Sequence, residues 1–151
     1  MALPVSIVGT TTAPVDVTVD RGRLRLFALA TGQRDPLYTD PAVARAHGHP
    51  DLPVPPTYLF GLELEQPEPF AWLTGLGVDL RAVLHGSQGF EYVAMAYAGD
   101  TLTAVSTVTD VYSKKGGALE FVERRTDVTR DGRPVATLQQ TTVVRNGMVP
   151  A

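Results

Sequence analysis

The sequence contains no cysteine. That absence excludes disulfides, thiolate nucleophiles and thiolate metal sites together, and it is compatible with a reducing cytoplasm. Basic charge is also scarce, with 13 Lys and Arg against 16 Asp and Glu and a formal net charge of −3. Phosphate backbones are bound by concentrated positive surface, so nucleic acid is not an expected partner. No stretch approaches the roughly 18 consecutive apolar residues that a membrane span needs. Met1-Ala2-Leu3-Pro4-Val5 lacks a basic segment leading into a long apolar one, so no signal peptide is expected. A cytoplasmic location is the simplest expectation. There is no internal repeat and no low-complexity tract. The glycines form no phosphate-binding pattern after a strand, and no cofactor is expected.

What remains is ordinary for a globular protein. The 151 residues, 44% hydrophobic and 19% charged, suit one domain spanning 1–151 with a sizeable core. The two halves are punctuated differently. Ten of the twelve prolines lie in residues 1–80, whereas residues 81–145 read as strands with tight turns. Irregular and helical structure followed by a run of strands predicts an α+β fold.

Asp20 is placed to cap a helix beginning at Arg21, with Leu24, Phe27, Ala28 and Thr31 at helical spacing and Gly32 as a stop. Asp40-Pro41 opens a second short helix ending near Gly48. Asp51 to Pro56 cannot be helical, because each proline pushes its predecessor out of the α region. Pro56 then begins a third helix, Thr57 to about Glu65. Its apolar residues run nearly all round, which predicts a buried helix. Four long strands follow: Leu84–Met95, Thr101–Ser113, Leu119–Thr129 and Pro134–Arg145. They are separated by turns at Ala98-Gly99-Asp100, Lys114-Lys115-Gly116-Gly117 and Arg130-Asp131-Gly132. Long antiparallel strands wrapped around one buried helix describe a hotdog fold.

Three stretches carry a resemblance to a known family. The loop Thr31-Gly32-Gln33-Arg34-Asp35-Pro36-Leu37-Tyr38-Thr39-Asp40 resembles the catalytic loop of MaoC-type R-specific enoyl-CoA hydratases, Ser-Gly-Asp-x-Asn-Pro-(Leu/Ile/Val)-His-x-Asp. Gly32, Pro36, Leu37 and Asp40 fall in register. Gln33 stands at the position of the family's catalytic Asp, and Tyr38 at that of its catalytic His. Leu84-His85-Gly86-Ser87-Gln88 and the segment from Thr109 to Ala118 resemble the non-catalytic repeat of double-hotdog hydratases and the non-catalytic subunit of heterodimeric hydroxyacyl-ACP dehydratases. The chain is thus similar, over about residues 5–145, to the MaoC-like and FAS1-like dehydratase N-terminal hotdog domain.

The resemblance implies a chemistry and shows it to be incomplete. Hydration of an enoyl thioester needs a base, an acid and a stabiliser for the enolate oxygen. A Gln amide takes no proton, and a Tyr with a reference pKa of roughly 10 is a poor base near neutrality. The family's oxyanion donor is a backbone N–H at a His-Gly step opening the buried helix. Here that segment reads Val54-Pro55-Pro56-Thr57. If Pro56 occupies the glycine's position, the donor is missing, because proline has no N–H.

Other candidates have two readings each. Asp35 either braces its loop or acts as a relocated base, and His85 is either a relocated catalytic group or a structural histidine at a strand edge. His47 and His49 have metal-like spacing, but with no acidic or cysteine cluster beside them they read as solvated loop residues. Asp40 reads as a helix cap. Glu63 and Glu65 are expected to face solvent near their helix end. Lys114 and Lys115 are either a polar hairpin tip or a contact for a CoA or phosphopantetheine phosphate. Tyr58, Phe60, Phe70, Trp72, Leu76 and Leu80 either line an acyl tunnel or pack as core. Gln33, Tyr38, Pro56, Thr57, Tyr58, Phe60 and Trp72 are the expected substrate-binding set.

The function implied is a subunit of an R-specific enoyl-CoA hydratase or (3R)-hydroxyacyl-thioester dehydratase. It would shape the pocket for an acyl-CoA or acyl-ACP thioester while a catalytic MaoC-type partner supplies the Asp and His. Alone, the chain is expected to form a homodimer. The alternatives are a self-sufficient hydratase with relocated residues and an acyl-thioester-binding protein without turnover.

Overall fold

The computed structural model describes residues 3–146. Five antiparallel strands form one sheet: β1 (Val15–Thr18), β2 (Val83–Tyr92), β3 (Thr101–Lys114), β4 (Leu119–Arg130) and β5 (Arg133–Arg145). Their spatial order is β1-β3-β4-β5-β2. This is the α+β hotdog arrangement, with four of its strands where the alternation placed them. The fifth, β1, pairs Val15–Thr18 with Thr101–Ala104 and was not expected. β2 ends at Tyr92, three residues earlier than expected, because the N–H groups of Val93 and Ala94 both turn to Val135 O.

The turns follow their local chemistry. Asp131 and Gly132 both take positive φ, 51° and 72°, as the two-residue hairpin between right-twisted strands requires. The β3–β4 connection runs through Lys115, Gly116 and Gly117, all left-handed.

Helix α1 (Arg21–Ala30) begins where the Asp20 carboxylate accepts the Arg23 N–H at 3.0 Å. It buries Leu24 and Ala28. Helix α2 (Pro41–Ala46) is capped by Asp40, which accepts the Ala42 N–H. The predicted third helix is present but is a 3-10 helix, Tyr58–Glu65. Tyr58, Leu59 and Leu62 are buried, whereas Phe60 and Leu64 are exposed. The expectation of a helix buried all round is therefore corrected to a helix with one face in the core. No helix of the described residues is long and apolar enough to cross a membrane.

The inner face of the sheet carries two apolar clusters. One joins Leu24, Leu59 and Leu62 to Leu102, Val128 and Leu138. The other joins Leu73 and Ala82 to Val108, Val122 and Val144. On β3 and β4 the strand positions between these clusters are polar. Ser106, Arg124 and Thr126 are all buried.

Candidate functional site

The loop from Thr31 to Asp40 is built from its own polar side chains. The Gln33 side-chain oxygen accepts the Asp35 N–H at 3.1 Å. The Asp35 carboxylate accepts the Leu37 N–H at 2.9 Å and caps the short 3-10 turn Pro36–Tyr38. Asp40 then caps α2. Gln33 and Tyr38 are half-buried. Asp35 thus has a structural task in this loop.

At the start of the central helix the positive-φ residue is Thr57, at φ 72° and ψ −8°. This position suits glycine and strains a β-branched residue. The inference drawn from Pro56 is therefore corrected. The glycine-like position belongs to Thr57, which does have an N–H, and that N–H donates to the Tyr92 hydroxyl at 3.1 Å. Pro56 is exposed, one residue before the donor.

Phe60, Trp72 and His85 come together on one cavity of about 310 Å3 between the central helix and strands β2, β4 and β5. His85 meets the Phe60 ring edge-on, 5.2 Å between centroids. A β-bulge between His85 and Ser87 sets the local direction of the strand. A Cβ at Gly86 would lie 3.0 Å from both Thr141 O and a Val143 methyl, so glycine spares the bulge a tight contact. Phe60, Leu64, Phe70 and Leu84 all line the cavity and all remain exposed, giving it an apolar rim. Tyr58 is not in this lining. It packs in the core, edge-on to Phe27 at 5.4 Å, and burial raises its phenol pKa. Of the remaining apolar set, Leu76 lines a separate cavity and Leu80 is exposed.

The floor of the cavity is charged, which the sequence reading did not anticipate. Glu63 was expected to face solvent, and the structure corrects this: its side chain is 17% exposed and turns inward to Arg124, itself 6% exposed. Arg124 Nη2 donates to Glu63 Oε1 at 2.7 Å, and Nη1 donates to Gln140 Oε1 at 3.3 Å. The Ser106 hydroxyl donates to the same Glu63 oxygen at 2.6 Å and is also hydrogen-bonded to Thr126 Oγ1. The Arg124 guanidinium lies 4.3 Å from the Trp72 ring centroid. Charge, hydrogen-bond partners and an aromatic face together compensate the burial of the pair. Glu65, by contrast, reaches outward to Arg23.

The other candidates have local partners. His47 Nδ1 contacts Val43 O at 2.9 Å, and His49 packs on Tyr97. Lys114 lies over the Tyr112 and Phe121 rings. Among the described residues no three His, Cys, Asp or Glu side chains converge as a metal site would require.

The architecture is the hotdog fold, shared with MaoC-like dehydratases. The chain superposes on a MaoC-like dehydratase with a TM-score of 0.81 at 22% identity, covering 94% of this chain and 43% of that one. It superposes on the (3R)-hydroxyacyl-ACP dehydratase HadBC of Mycobacterium tuberculosis with a TM-score of 0.76 at 25% identity, covering 91% and 96%. The family is then specific: residues 6–138 match the FAS1-like dehydratase domain region, and the chain belongs to that family. A UPF0336 protein of Streptomyces griseus subsp. griseus is 40% identical over 129 residues, 85% of each chain. One from Saccharopolyspora erythraea is 35% identical over 147 residues, 96% of this chain and 93% of that one.

Proposed function

We propose that this chain is the acyl-pocket subunit of an R-specific enoyl-thioester hydratase or (3R)-hydroxyacyl-thioester dehydratase, and that a second hotdog chain supplies the Asp and His. The substrate is an acyl-CoA or acyl-ACP thioester. The observation that carries this reading is the 31–40 loop. Gln33, at the position where the resemblance calls for the Asp, is an amide that accepts the Asp35 N–H, and the Asp35 carboxylate accepts the Leu37 N–H and braces the loop. Gln33 and Tyr38 are in any case the wrong groups for the base.

Two features suit a substrate-shaping role. The apolar rim of Phe60, Leu64, Phe70 and Leu84 favours burial of an alkyl chain. The Thr57 N–H is a donor at the head of the central helix, held by the Tyr92 hydroxyl. A thioester carbonyl competing with that hydroxyl would find a donor already oriented. The need for a second chain is supported by neighbours that are themselves two-chain complexes, ChsH1-ChsH2 and HadBC of Mycobacterium tuberculosis.

The test is loss of enoyl-thioester absorbance with crotonyl-CoA, using the chain alone and then with a MaoC-type partner from the same genome. Little or no turnover alone, restored by the partner, is expected. Robust turnover by the chain alone, abolished by Asp35→Asn or His85→Ala, would place the active site in this chain and refute the proposal.

A further inference from the structure

Two cavities meet at the same pair of side chains. The first is the apolar-rimmed cavity of about 310 Å3 described above. The second, of about 270 Å3, lies toward the N-terminal segment and is lined by Ile7, Thr10, Leu76 and Val108 among others. Trp72 and Arg124 are the residues lining both. The half-buried indole, with the guanidinium against its face, divides one space from the other.

The divider is anchored. Arg124 is held by Glu63 and Gln140 and presents its cation to the Trp72 ring at 4.3 Å. A desolvated contact of this kind resists separation more than an exposed one does. Turning the indole aside would take it off the cation. An alkyl terminus that reaches the indole also meets the ion pair at the cavity floor, whose polar groups gain nothing from a methyl group. The pair is also satisfied internally: Glu63 Oε1 accepts from both Arg124 and Ser106. It is therefore a stop for an alkyl chain, not a receptor for an anionic one.

Resting on the acyl-pocket reading, we propose that Trp72, clamped by Arg124, is the end wall that sets the longest acyl chain this subunit accommodates. Shorter chains fill the first cavity, and longer ones are excluded from the second by the indole.

The experiment is titration of the full-length chain with a ladder of saturated acyl-CoA thioesters from butanoyl to hexadecanoyl. It is run on the wild type, Trp72→Ala and Trp72→Leu, with folding checked by circular dichroism. In the wild type, affinity rises about four-fold per added methylene up to a break, beyond which it stays level or falls. In Trp72→Ala the break moves to longer chains by several carbons. Trp72→Leu moves it less, in the same direction. A break that stays in place, or a loss of affinity equal at every length, overturns the end wall and leaves the acyl pocket standing. Failure of both variants to fold makes Trp72 a core element and overturns the proposal too. A wild type whose affinity does not depend on chain length overturns both the pocket and its wall.

Discussion

The Glu63–Arg124 pair offers a sharp test of the energetics. Removing one partner, as in Arg124→Met, leaves the Glu63 carboxylate among apolar neighbours with only the Ser106 hydroxyl. Breaking a buried pair in this way costs about 3–5 kcal/mol. Arg124 is 6% exposed and Glu63 17%, so solvent can recover little of that. Loss of the Trp72 contact at 4.3 Å adds to the penalty, since a desolvated cation–π contact contributes about 2 kcal/mol. A domain of this size has about 5–15 kcal/mol in all. At roughly 2–4 °C per kcal/mol, a combined loss of about 5–7 kcal/mol should lower the Tm of Arg124→Met by about 10–28 °C.

The double variant Glu63→Leu, Arg124→Met removes both charges. Replacing a buried pair by apolar residues of similar volume is often neutral or stabilising, so the double variant should be more stable than either single one. Thermal and urea denaturation of all four proteins closes the cycle. Single losses within about 1 kcal/mol, the range of exposed pairs, or losses that simply add in the double variant, would refute the picture of a desolvated pair.

Three further expectations follow from local geometry. The Arg21 guanidinium, donating to the Asp51 carboxylate, depresses the Asp51 pKa to about 2; its contribution is fully present above the unfolded value near pH 4 and is lost as pH falls through 2. Asp51→Asn should therefore be less stable than the wild type at pH 7, and the difference should vanish near pH 2 in pH-dependent denaturation. Thr57→Gly relieves a positive φ that β-branched residues adopt at a cost of about 1–3 kcal/mol, so its Tm should equal or exceed that of the wild type, and a clear decrease would show that the Thr side chain contributes more than its backbone strain costs. β2 is an edge strand, and beyond it Val93 and Met95 lie exposed; open edges favour pairing, so light scattering of the isolated chain should give a dimer mass, and a mass of 16.2 kDa at micromolar concentration would contradict it.

What the sequence made legible is what local chemistry decides. Asp20 and Asp40 cap the helices they precede, and Asp131-Gly132 makes its hairpin, because each depends on residues a few positions away. β1 was hidden for the opposite reason. Its four residues pair with Thr101–Ala104, more than eighty positions onward, and a strand that short has no alternation long enough to read. The charged floor lies between these cases. On β4, Arg124 is in phase with Val122 and Val128, which face the core, so the period of two already placed a cation inward. What it lacked was a partner. Glu63 lies on a helix apolar nearly all round, where no face could be assigned, and only the fold brings the two together.

The head of the central helix shows why the Pro56 inference went astray. Proline at 56 removes a donor, and glycine is what the sequence leads one to seek at a left-handed position. The chain instead puts threonine there, and the Tyr92 hydroxyl, thirty-five residues away, accepts its N–H. Tertiary contact thus holds a conformation that local preference opposes. A strained backbone donor held by a tyrosine hydroxyl suits the substrate-shaping role proposed for this subunit. Gln33 is an amide where the resemblance calls for a carboxylate, whereas one residue beyond the proline the Thr57 backbone N–H is present and donates to the Tyr92 hydroxyl.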